Sequence, residues 1–153
     1  MPLIAVINGP NLNLLGTREP EIYGRFTWER IRSEMRDRAE KEGAELEFFQ
    51  SNHEGAIIDY VQEIAGRAQG LIINPGALTH YSYSLRDALA AVDLPVVEVH
   101  ITNIYRREEW RSRSVVSCVA LGTISGLGPL SYVLALEALA FFIAQDNPAA
   151  NHP

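Results

Sequence analysis

Cysteine and lysine are almost missing from this chain of 153 residues, which has one of each, Cys118 and Lys41. A lone cysteine excludes an internal disulfide, so the expected setting is a reducing cytoplasm. Cys118 sits in the apolar run SVVSCVAL and is expected as a small buried hydrophobe, not a nucleophile. The scarcity of lysine goes with an acidic balance, 19 acidic against 13 basic residues for a net charge of -6. That argues against a nucleic-acid surface, which needs clustered positive charge. The opening MPLIAVINGP lacks the basic region and small-residue cleavage site of a signal peptide. The longest apolar stretch, 126–144, contains Pro129, Ser131, Tyr132 and Glu137 and is expected as a buried or interface helix, with no membrane span. No internal repeat or low-complexity run is present, so the chain reads as one domain over 1–145 with a disordered tail from 146 to 153. Several chemistries are absent too. There is no GxSxG elbow, no P-loop and no GxGxxG after a strand, and the four histidines, His53, His80, His100 and His152, lack metal-ligand spacing. What is left is acid-base chemistry without metal or cofactor.

The apolar pattern alternates between strand and helix. Residues 3–8 form a short run stopped by Gly9 and Pro10, as expected of a strand buried on both faces. Thr27 offers an N-cap, Trp28, Ile31, Met35 and Ala39 recur at helical spacing, and Gly43 offers a left-handed stop. Residues 44–48 alternate as an edge strand, 54–69 carry a helical stripe ended by Gly70, and 71–74 are again a buried strand. A helix with Leu85, Ala88, Leu89 and Val92 inward precedes a fourth strand at 96–101. Residues 114–121 are expected as a fifth strand before the last helix. Strict alternation implies an α/β fold: a flavodoxin-like three-layer sandwich with a five-stranded parallel sheet. Ligands of such sheets sit beyond the carboxyl ends of the strands, where strand order reverses.

Polar residues gather at those ends: Asn8 closing the first strand and Asn11 just after it, Asn74 in the third, Glu98 and His100 in the fourth. Glu98 and His100 are two apart and share a face. A carboxylate beside an imidazole fixes its tautomer and favours the form a general acid requires, but the pair also suits a polar cap on a ladder. After the first strand comes an overlong connection, NGPNLNLLGTREPEIYG at 8–24, holding Arg18 and Tyr23. A guanidinium near a phenol stabilises the phenolate and makes a base of it; a solvated arginine and a packing tyrosine are the ordinary alternatives. His80 and Asp87 fall at the start and middle of the third helix, where capping and surface roles compete. Arg107 and Arg111, four apart, suit an anion on one helical face, with Glu108 and Glu109 as competing partners. Gly126-Leu127-Gly128 fits either a phosphate nest or close packing.

Five blocks in order carry a specific resemblance: NGPNLNLLGTREPEIYG, then QSNHEG at 50–55, INPGALTHYSYSLRDAL at 73–89, EVHITN at 98–103 and REEWR at 107–111. From Ile4 to about Phe142 the chain closely resembles type II 3-dehydroquinate dehydratases. The resemblance implies trans elimination of water from 3-dehydroquinate through an enolate, without metal or Schiff base. It implies Tyr23 as the base, Arg18 keeping its phenolate accessible, His100 as the acid, Glu98 orienting it, and Asn11 stabilising the enolate through a water. It implies Asn74, His80 and Arg111 as substrate ligands, the amides of Ile101 and Thr102 on the carboxylate, and Asp87 reaching a neighbouring subunit's site. The assembly implied is a homododecamer, a tetramer of trimers. The chain departs from the usual family pattern at Thr102, where serine is common, and at Tyr105-Arg106, where His-Ala is common. The rival from another class is a flavodoxin-like module for a nucleotide or flavin. GPNLNLLGTR has the wrong length and too few hydroxyls for its phosphate loop.

Overall fold

The computed structural model of the chain describes residues 1–17, 19, 21 and 26–146. Five parallel strands, β1 (Leu3–Asn8), β2 (Glu45–Gln50), β3 (Gly70–Asn74), β4 (Val96–His100) and β5 (Gly122–Ser125), form one sheet in the order β2-β1-β3-β4-β5. The helices are α1 (Trp28–Glu42), α2 (Glu54–Ile64), α3 (Tyr83–Ala91) and α4 (Leu130–Asp146). Alternation along the strands decides the layers. Ile4, Val6, Ile72, Val97 and Val99 face α1 and α4, while Ala5, Ile7, Leu71, Ile73 and Val96 face α2 and α3. Each fully buried Ile or Leu of these two cores contributes about 1.5–3 kcal/mol relative to exposure.

Local signals act where they stand. Thr27 accepts a hydrogen bond from the Arg30 amide at 3.2 Å to cap α1, and Gly43 ends it with φ 70°. Ser82 caps α3 by accepting from the Leu85 amide at 3.1 Å, and its hydroxyl donates to Glu54 at 2.6 Å, tying α3 to the start of α2. The sheet order reverses between β1 and β3, whose last residues, Asn8 and Asn74, are register partners. There the chains pinch together: Gly9 donates its amide to the Asn74 carbonyl at 2.8 Å, and a β-carbon on Gly9 would lie 2.3 Å from the Pro75 carbonyl oxygen.

Four expectations are corrected. The fifth strand is Gly122–Ser125, not 114–121. The Ser114 hydroxyl accepts from the amides of Val116 and Ser117, a local turn that competes with a ladder. Helix α2 ends at Ile64 and not at Gln69, and Gly70 opens β3 where a β-carbon would press to 3.3 Å on Leu139 and Ile143 of α4. Cys118 is exposed, its Sγ donating to the Val115 carbonyl at 3.3 Å. Residues 76–80 form a separate 3-10 turn, so His80 precedes α3 and does not begin it. The last helix runs through Asp146, and 147–153 lie outside the described residues. Among the described residues no helix is long and apolar enough to cross a membrane.

Candidate active site

Beyond the strand ends at the switch point lies a cavity lined by Asn11, Asn74, His80, His100, Thr102 and Arg111, together with Ile101, Arg107 and the turn at Gly76. Eight of the residues singled out in the sequence therefore meet there: Asn11, Asn74, His80, His100, Ile101, Thr102, Arg107 and Arg111.

Glu98 stands behind His100 and is almost completely buried, with 1% of its surface exposed. A buried charge needs partners, and Glu98 has four. Its carboxylate accepts from Thr79 Oγ1 at 2.7 Å, Ser117 Oγ at 2.8 Å, Ser114 Oγ at 3.0 Å and His100 Nε2 at 2.5 Å. Burial pushes this carboxyl up, but His100 and the hydroxyls outweigh burial and hold it below its ordinary value. An ionised carboxylate only accepts, so His100 Nε2 carries a hydrogen and Nδ1 is left for proton exchange. Spacing alone placed Glu98 and His100 on one face. The three hydroxyls come from segments 16 to 19 residues away, and no local pattern announced them.

His80 comes toward His100 from the turn before α3, ring centroids 6.4 Å apart. Its Nδ1 lies 2.7 Å from the Arg113 carbonyl, which only accepts, so Nδ1 donates and Nε2 is an acceptor while the ring is neutral. Burial lowers its pKa against that carbonyl, and the positive neighbours His100 and Arg111 lower it further. The sign for stability follows. The unfolded chain takes up this proton first, so His80 makes stability fall as pH drops through about 6.5 toward its folded midpoint. We expect NMR titration of His80 to give a midpoint below 6.5; one at or above 6.5 would contradict this account.

Arg111 is held on two sides. Its guanidinium pairs with Glu108, whose carboxyl it keeps below the ordinary range, and lies 4.1 Å over the ring of Trp110. Trp110 also meets His80 edge-on, centroids 5.2 Å apart. Trp110 was missed as a site residue, although REEWR contains it. Arg107 and Arg111 lie in separate turns and still share the cavity, in place of the single helical face anticipated.

Asn11 adopts a left-handed backbone, φ 71°, and its amide donates to Asn52 Oδ1 at 2.9 Å. Gln50 donates to Asn52 at 3.2 Å and to the Gly9 carbonyl at 3.3 Å. The QSNHEG segment thus fixes the root of the long connection, a role its position at a sheet edge did not reveal. Arg18 and Tyr23 lie outside the described residues. Asp87 is exposed on α3 and does not line this cavity. Tyr105 and Arg106, both exposed, also stand away from it, whereas Thr102 lines it. The glycines at 126–128 form no open nest: the amides of Gly126 and Gly128 donate to the carbonyls of His100 and Ile101, and that of Leu127 to Ser131 Oγ. Close packing explains Gly126, whose β-carbon would meet Asn103 at 3.1 Å. Among the described residues no group of three His, Cys, Asp or Glu could hold a metal ion.

The family model described as dehydroquinase class II matches residues 2–140. The chain belongs to this family. It is 57% identical over 147 residues to the 3-dehydroquinate dehydratase of Halothermothrix orenii, covering 96% of this chain and 99% of that one. To the 3-dehydroquinate dehydratase of Dictyoglomus turgidum it is 56% identical over 139 residues, 91% of this chain and 96% of the relative. The type II dehydroquinase of Butyrivibrio crossotus superposes with a TM-score of 0.88 at 48% identity, covering 90% of this chain and 97% of the other. That of Propionibacterium acnes gives 0.88 at 40% identity, with 92% and 97% covered. The type II dehydroquinase fold is the flavodoxin-like one anticipated from strand and helix alternation.

Proposed function

We propose that the chain is a 3-dehydroquinate dehydratase, a hydro-lyase of the shikimate pathway, working by trans elimination through an enolate with amino-acid side chains and backbone amides as the reacting and binding groups. Tyr23, as phenolate beside Arg18, takes the proton from C2. The electron pair delocalises onto the C3 carbonyl oxygen, where Asn11, through a water, stabilises the enolate. The enolate then collapses to the conjugated enone as the C1 hydroxyl leaves, and His100 protonates it to water while Glu98 holds the ring. Asn74, His80 and Arg111 bind the substrate, with the amides of Ile101 and Thr102 on its carboxylate.

The observation that carries this reading is the carboxylate-imidazole pair on one face of β4, its imidazole lining a cavity with Asn11, Asn74 and Arg111. Such a pair supplies a positioned acid, and Arg111 supplies the charge a carboxylate substrate requires. Asp87, exposed and remote from its own cavity, is assigned to the site of a neighbouring subunit. The assembly assigned is a tetramer of trimers in the cytoplasm. Exposed Leu127, Leu130, Phe141 and Phe142 support an oligomer, because they leave apolar surface for subunits to cover. Mixing the purified chain with 3-dehydroquinate is expected to produce the ultraviolet absorbance of the enone. Absence of that signal at high protein concentration overturns the assignment.

A further inference from the structure

On the α1/α4 side of the sheet, helix α4 brings one polar group up to the strand ends beneath the cavity. Tyr132 is fully buried, and its ring is held edge-on by Trp28 of α1 at a centroid distance of 5.3 Å. Its hydroxyl donates to Asn8 Oδ1 at 2.8 Å and accepts from Asn74 Nδ2 at 2.9 Å. It therefore bridges the last residues of β1 and β3 at the switch point, where the two are register partners. The opposite end of the Asn74 carboxamide is also committed, since Oδ1 accepts from the Gly76 amide at 3.1 Å. A flipped carboxamide would set donor against donor at Gly76 and leave the Tyr132 oxygen facing Oδ1. One Nδ2 hydrogen and one Oδ1 lone pair remain, and Asn74 lines the cavity. Burial pushes the Tyr132 phenol far above its ordinary range, although Asn74 pulls the other way, so the hydroxyl keeps the proton it donates to Asn8.

We infer that Tyr132 is a positioning residue for substrate binding: its buried hydroxyl locks the orientation in which Asn74 presents its carboxamide to the bound molecule. The inference rests on the dehydratase reading and on Asn74 as a substrate ligand. A purely structural tyrosine would satisfy two buried amides and do nothing else. The two cases separate in steady-state kinetics, because loss of folded protein lowers apparent kcat and leaves KM untouched, whereas a misdirected ligand raises KM.

The experiment compares the full chain, Tyr132→Phe, Asn74→Ala and the double variant with 3-dehydroquinate. Tyr132→Phe is expected to raise KM up to about tenfold, the worth of one hydrogen bond, with kcat per folded protein within about threefold. In the Asn74→Ala background the same substitution is expected to raise KM no further. An unchanged KM in Tyr132→Phe, or an equal factor in both backgrounds, overturns the inference. If Tyr132→Phe does not fold, Asn8→Ala removes the acceptor that aims the hydroxyl and leaves the ring in place. A KM unchanged by Asn8→Ala then overturns it equally. An unaltered chain that does not turn over 3-dehydroquinate removes the dehydratase reading and this inference together, while a fully active chain whose KM ignores Tyr132 sinks the inference alone.

Discussion

His100→Asn is expected to lower kcat by about 10²–10⁴, the usual contribution of a positioned general acid, with a smaller change in KM. Asparagine keeps a polar side chain beside Glu98 and removes the group that delivers the proton to the leaving hydroxyl. A kcat within about threefold of the parent chain would take His100 out of the acid role. Glu98→Gln tests the other half of the pair. The carboxylate accepts from Thr79, Ser114, Ser117 and His100, all donors, and a carboxamide turns a donor of its own toward at least one of them. A conflict of that kind costs about 1–3 kcal/mol, so this variant is expected to melt earlier as well as turn over more slowly. The pH dependence has a defined sign. With the folded carboxyl below its ordinary value, Glu98 stabilises the fold above about pH 4.3 and loses that contribution as pH falls through its folded midpoint. The stability gap between parent and Glu98→Gln should therefore narrow on the acid side; a gap that widens there contradicts the assignment of Glu98 as the buried anion.

The parts of this site that were legible in the sequence are those set by local geometry. Two residues apart on a strand means one face, so Glu98 and His100 followed directly from the pattern. Thr27 and Gly43 bounded α1 because capping acts within one turn. Asn8 and Asn74 could be placed at strand ends because short apolar runs stopped by Gly-Pro and Pro-Gly mark them; that these two strands flank the reversal of the sheet is seen only in the fold. What escaped depends on partners distant in sequence. Residues 114–121 have the composition of a strand, but Ser114 and Ser117 are recruited by Glu98, and a segment bent to deliver two hydroxyls cannot run straight. Cys118 falls in the same bend, which turns its thiol outward despite its apolar neighbours. Tyr132 counts against a membrane span, and its hydroxyl also reaches Asn8 and Asn74 at the strand ends, which no local pattern announces. Trp110 is exposed and nevertheless meets both His80 and Arg111, residues distant from each other in sequence. Asp87 is a different matter, since a role in a neighbouring subunit's site has no trace within one chain.

Tyr23→Phe is expected to reduce kcat by about 10²–10⁴ while KM stays within a few-fold, because phenylalanine keeps the ring and loses only the oxygen that takes the proton. The companion variant, Arg18→Ala, distinguishes a true phenolate base from a tyrosine that merely packs on the substrate. An unassisted phenol has a pKa of about 10 and is almost wholly protonated near neutrality. If the guanidinium lowers that value, removing it shifts the ascending limb of the pH-rate profile upward, so activity lost at pH 7 returns toward pH 10. A profile with its limb unmoved refutes the coupling, and a Tyr23→Phe variant of near-normal rate removes the base. Geometry elsewhere limits the alternatives. Among the described residues lining the cavity, the titratable groups are His80, His100, Arg107 and Arg111. Arginine is not a base near neutrality, and the proposed mechanism uses His100 as the acid. His80 keeps Nε2 as an acceptor, which makes it the competing base if Tyr23→Phe retains activity. In that event the residual rate should fall as pH drops through the His80 midpoint, whereas a phenolate base leaves a limb far to the alkaline side, and the position of that limb decides which oxygen or nitrogen takes the proton.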